Sequence, residues 1–166
     1  MKRFLLPFIG LCALVVATPL LAAKKPVTEA TVTKEVAEGM QFMREEEKLA
    51  RDVYAVFYDK YGTNDTYTFA NIMESEQRHT EAVQRLLVKY GVPDPVVVDE
   101  SGEPVPGQFT NPDLQVLYDT LVANGSGPDA ELADALAVGV TIENKDMEDI
   151  VHWIEVSIAY RDIVQV

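Results

Sequence analysis

"NIMESEQRHTEAV", residues 71–83, has helical spacing, yet it sets Glu76 and His79 where an apolar stripe should continue. Working outward, Phe69, Ile72, Glu76, His79, Val83, Leu86 and Tyr90 step by three and four, which predicts one face of a helix over about 68–90. Gly91 and Pro93 end it. The segment before it, about 34–61, repeats the pattern in Met40, Met43, Glu47, Ala50, Tyr54, Phe57 and Tyr61, and Gly62 stops it. The polar members of both stripes are carboxylates and one imidazole. The turn between them, "GTNDTYT" (62–68), is short enough to make the two helices antiparallel neighbours.

Beyond this pair the link is long. Residues 91–110 are proline-rich, with a candidate hairpin in "PVVVDESGEPV" (95–105). "TNPDLQVLYDTLVANG" (110–125) reads as a short helix with Asn111 as cap, Pro112 at the first helical position and Gly125 at its end. A third long segment follows in 126–157, opened by Ser126 or Pro128 and with a candidate break at 144–146. Its stripe is Leu132, Leu136, Gly139, Glu143, Asp146, Ile150 and Trp153. "AYRDIVQV" (159–166) reads as the start of a fourth helix that is cut short.

The first 23 residues pair Lys2 and Arg3 with an apolar run and a small-residue exit, the pattern of a signal peptide. The expectation is a periplasmic or secreted protein, with an uncleaved membrane anchor as the alternative reading. Residues 24–33 read as a linker and 34–166 as a single helical domain. The net charge of −13 becomes −15 once Lys2 and Arg3 are removed, which argues against nucleic acid and favours cations. The one cysteine, Cys12, leaves with the signal, so disulfides and thiolate metal sites are excluded from the mature chain.

Three helices thus carry carboxylates on faces that should be dry. A lone buried carboxylate takes up a proton or finds a cation, and several on facing helices repel unless something positive lies between them. Divalent metal ions meet that need, and a His nitrogen suits iron, manganese or zinc. Glu-x-x-His fits one ion because three residues turn a helix by about 300°, leaving the side chains one turn apart on adjacent faces. In "REEEK" (44–48) only one or two of the acids are expected to point inward, and Glu46 competes with Glu47 for the inner position.

"EKLARDVY" (47–54) followed by "ESEQRHTEAV" (74–83) resembles the first half of a ferritin-like di-iron protein, close to the rubrerythrin branch, with its Glu-x-x-Ala-x-x-x-Tyr and Glu-x-x-His motifs. More narrowly, "MREEEKLARDVY", "FTNPDLQVLYDTLVANGS" and "ALAVGVTIENKDMEDI" are similar to a ferritin-like domain group of unknown function. The resemblance implies an all-α, ferritin-like up-down helical bundle with a long crossover between its second and third helices. It implies metal ligands at Glu47, Glu76, His79 and Glu143, with Asp146 as a fifth candidate and Tyr54 and Glu46 as supporting groups. The implied cofactor is iron, up to two ions, with manganese or zinc as substitutes. Ferrous iron, oxygen or peroxide would be the substrates, and a homo-oligomer the assembly. No catalytic residue is assigned by it. The family also has an acid-and-His set on the fourth helix, which this chain lacks: its other histidine, His152, lies nine residues after Glu143, on the opposite side of a straight helix. The alternative function is an exported, non-catalytic helical module with no functional metal site.

Overall fold

The computed structural model describes residues 31–62 and 67–166, which form four helices and no strand. They are α1 (Lys34–Tyr61), α2 (Thr68–Tyr90), α3 (Pro112–Ser126) and α4 (Leu132–Ser157). The signal peptide expected at 1–23 and most of the expected linker lie outside the described residues. No helix among the described residues is long and apolar enough to cross a membrane.

The bounds of α1 and α2 follow their stripes, and Gly91, in the left-handed conformation at φ 65°, closes α2. Asn111 caps α3 as expected, its side chain accepting from the Asp113 amide at 2.9 Å, with Pro112 behind it. α4 starts later than its sequence suggests, at Leu132, where Glu131 and Asp134 form a reciprocal capping box. It runs unbroken through 144–146. The hairpin expected at 95–105 reduces to a single bridge between Val98 and Pro104.

α1 is the central element. It packs against α2, α3 and α4; α3 also packs on α4, while α2 and α4 are held apart. Contacts run Tyr61 to Phe69 and Arg44 to Thr80 along α2, and Tyr54 to Gly139 and Phe42 to Trp153 along α4. Both helices are therefore antiparallel to α1 and parallel to each other, a geometry that requires the long crossover 91–131. Tyr54, Phe57 and Phe69 form the aromatic centre, with Phe57 and Phe69 rings 5.5 Å apart.

Being surrounded changes the reading of "REEEK". All five residues are buried, not one or two, because successive side chains rotate by about 100° and every direction around α1 meets protein. Arg44 donates to the Thr80 carbonyl at 3.2 Å and to Asp94 at 3.2 Å. Glu45 accepts from the Thr110 and Asn111 amides at the start of α3, where a negative charge is favoured. Lys48 donates to Asp52 at 2.6 Å and to the Val105 carbonyl at 2.8 Å, and Asp52 accepts from the Gly107 amide at 2.9 Å. These bonds fasten the crossover to α1.

Two further expectations are corrected. The buried face of α4 is Ala135, Val138, Gly139 and Ile142, rotated from the predicted stripe, because α4 faces α1 and α3 together; Leu136 and Glu143 are exposed. The last residues begin no helix: 158–166 form turns that lay Tyr160 and Ile163 on a second apolar cluster around Met40, Leu87 and Tyr90.

The Lys48–Asp52 pair yields a stability prediction. Asp52→Ala leaves the Lys48 ammonium, 0% exposed, without its counter-charge, a change that costs about 3–5 kcal/mol. The urea midpoint should fall accordingly, and Lys48→Met combined with Asp52→Leu should recover much of the loss.

Candidate metal centre

The antiparallel packing of α1 on α2 sets Glu47 opposite Glu76 and His79. His79 Nδ1 lies 3.1 Å from Glu76 Oε2 and 3.4 Å from Glu47 Oε2. One ligand atom from each of the three residues falls within 4.8 Å of the others, the only such acid or imidazole group among the described residues. Both carboxylates are buried, whereas the His79 side chain is 47% exposed, so the group sits at the edge of the protein with one side open. Glu47, and not Glu46, takes the position opposite α2.

α4 brings the remaining candidates to the same region. Tyr54 donates to Glu143 Oε1 at 2.7 Å; its hydroxyl also lies 3.3 Å from the Gly139 carbonyl. Glu143 is exposed and outside the three-residue group. Asp146 is half-buried, near enough to Glu47 and Glu76 for their charges to act on it. His152 is exposed on another face, its ring 4.8 Å from that of Trp153.

The charged groups around α1 are not compensated equally. Arg44, Glu45, Lys48 and Asp52 are each met by opposite charges or oriented dipoles. Glu46 and Glu47 are met only loosely: both oxygens of Glu46 and Oε2 of Glu47 are buried without a hydrogen bond, and His79 Nδ1 stands 3.4 Å from Glu47 Oε2. Lys145 Nζ stands 3.4 Å from Glu46 Oε1 but is hydrogen-bonded to Asp149. Burial, then contact with the Asp149 carboxyl, pushes Glu46 up to about 8. Burial and the adjacent Glu76 carboxyl raise Glu47 well above the carboxylate range. Asp146 is pushed up to about 6, by burial and then by Glu76 and Glu143. The Tyr54 hydroxyl is raised by burial and by its bond to Glu143. Without a cation, these acids settle the conflict by holding protons.

The Lys145–Asp149 pair that borders Glu46 escaped the sequence reading. It is an i, i+4 couple on α4, and that spacing was the available signal.

The fold and site together define a helical protein with two buried carboxylates and a half-exposed imidazole clustered between its first two helices. The chain belongs to the family described as "Uncharacterized protein domain (DUF2202)", whose model matches residues 36–166. It is 47% identical over 131 residues to "Uncharacterized protein MJ0754" of Methanocaldococcus jannaschii, an alignment covering 79% of this chain and 62% of that relative. The chain thus spans less than two thirds of the relative's length. No solved structure matches it.

The raised acids set a pH dependence for the metal-free protein. A carboxyl whose folded value lies above its unfolded value stabilises the fold most below the unfolded value, here 4.5, and that contribution is lost as pH rises through about 8 for Glu46. The urea midpoint of the metal-free chain should fall from about pH 5 to about pH 9. Glu46→Gln should flatten that slope.

Proposed function

We propose that this protein binds iron in a ferritin-like helical domain, with Glu47, Glu76 and His79 holding one ion and Glu143 and Asp146 placed to serve a second beside it. The carrying observation is the Glu47–Glu76–His79 group, with ligand atoms within 4.8 Å and one buried carboxylate oxygen that no donor satisfies. Two carboxylates and one imidazole suit iron, and also manganese or zinc. The parallel run of α2 and α4 joined by a crossover supports the ferritin-like reading, as does the resemblance of residues 47–54 and 74–83.

Each residue has a defined task in this reading. His79 binds through Nδ1, so its Nε2 must carry the proton. Glu47 loses its proton when the ion arrives, which couples binding to pH. Tyr54 fixes the orientation of Glu143 through its hydroxyl, and Gly139 leaves room for that ring: a Cβ there would sit 3.3 Å from the Tyr54 oxygen. Bound iron would supply one-electron chemistry towards oxygen or peroxide. The open side at His79 provides access for such a small substrate. The apolar run at 4–23 supports export, placing this activity in the periplasm or outside the cell.

One observation favours the alternative of a non-catalytic module: the His79–Glu76 contact at 3.1 Å can be a satisfied hydrogen bond with no metal present. Metal analysis separates the two readings. The purified protein should contain iron, manganese or zinc, and Glu76→Ala and His79→Ala should each abolish it. Metal retained in both variants would refute the assignment. Tyr54→Phe should weaken metal affinity by about 10–100-fold without unfolding the chain. Oxygen consumption on adding ferrous iron would distinguish an oxidase from a passive binder.

A further inference from the structure

α2 and α4 stand apart over α1, and the space between them is a half-open cavity of about 280 Å³. Met40 and Met43 form its floor, Val83 and Leu86 one wall, and Ile150 and Trp153 the other. Glu47 and His79 also line it, so the cavity opens directly onto the candidate metal centre. The floor is shaped for this arrangement: a Cβ on Gly39 would fall 2.4 Å from the Trp153 ring, so glycine there lets the indole close one end.

We propose that this cavity binds a small aliphatic molecule bearing one hydroxyl, seated with the hydroxyl at Glu47 and His79. Three features select that chemistry. The lining is apolar apart from Glu47, His79 and Ser157, which matches a ligand with an apolar body. Its volume is nearly twice that of an engineered apolar cavity of about 150 Å³ that accepts benzene, so a molecule of medium length fits. The buried Glu47 Oε2 has no hydrogen-bond partner, and a hydroxyl, which both donates and accepts, can pair with that carboxyl whether or not it holds a proton. The site rests on the metal reading only for its polar end: with an ion present, the hydroxyl oxygen lies beside the ion, and without one it pairs with the Glu47 carboxyl. The inference thus names the substrate class that the metal centre would meet.

Trp153 is the chain's only tryptophan and lines the cavity, so its fluorescence reports occupancy. The experiment titrates the full chain, with and without Co²⁺, with primary alcohols of increasing length. Trp153 emission should shift, and affinity should rise about fourfold per methylene until the cavity is full. Ile154→Phe, which narrows the cavity at a residue 39% exposed, should weaken binding of the longer alcohols at least tenfold and leave cobalt content unchanged. Alcohol should also shift the visible cobalt spectrum.

Emission indifferent to every alcohol overturns the proposal, as does affinity that grows without a length limit and is unchanged by Ile154→Phe. A dimer with Trp153 already shielded and blind to alcohols assigns the groove to a second copy and overturns it too. Alcohol binding that leaves bound cobalt unperturbed overturns the placement of the hydroxyl. Length-limited alcohol binding by a chain that takes up no cobalt supports the cavity and refutes the metal centre.

Discussion

The structure depends on a helix whose middle has no outside. α1 is covered by α2, α3, α4 and the crossover, so its charged run at 44–48 must find compensation in every direction at one level of the fold. Desolvating an ion costs several kcal/mol, and the surroundings of α1 are arranged around that cost. Arg44 finds a carbonyl and an aspartate, Glu45 the positive start of a helix, and Lys48 an aspartate and two loop carbonyls. Glu46 and Glu47 alone in this run have buried oxygens without a hydrogen bond, Lys145 and His79 standing 3.4 Å off, and both face the region where the acids of α2 and α4 converge.

That asymmetry gives the functional reading its physical basis. The fold satisfies three buried charges of this run with direct hydrogen bonds and leaves the oxygens of the other two without them. Adding an arginine or an amide would stabilise the metal-free protein. Keeping acids and an imidazole together instead concentrates negative charge, which a cation or protons would stabilise. The open side at His79 and the cavity beside it give that charge access to small molecules.

Much of the fold was legible in the sequence. The three-and-four spacing of Met40 to Tyr61 and of Phe69 to Tyr90 located α1 and α2, and glycines at 62 and 91 marked their ends. Asn111-Pro112 fixed the start of α3. The same pattern singled out Glu76 and His79 and left Glu46 and Glu47 in competition, with the resemblance favouring Glu47; the structure brings Glu47, Glu76 and His79 together. Other features carried no periodic signal. Five consecutive charges look alike whether a helix is central or peripheral, so the burial of 44–48 was hidden. α4 divides its contacts between α1 and α3, which broadens its buried face and shifted the predicted stripe away from Ala135 and Val138. The closing turns at 158–166 hold apolar residues that pack like a helix start without forming one.

The fastening of the crossover to α1 has a consequence for how the chain can vary. Val105, Gly107, Gln108, Thr110 and Asn111 are each hydrogen-bonded to Lys48, Asp52 or Glu45, so this stretch is held in register by a helix some sixty positions earlier. The tip at 99–103 bonds chiefly within itself. Length changes in this connection are therefore channelled into the tip: added residues there can loop outward, whereas a single one between 105 and 111 would slide the entry point of α3 off the glutamate that anchors it.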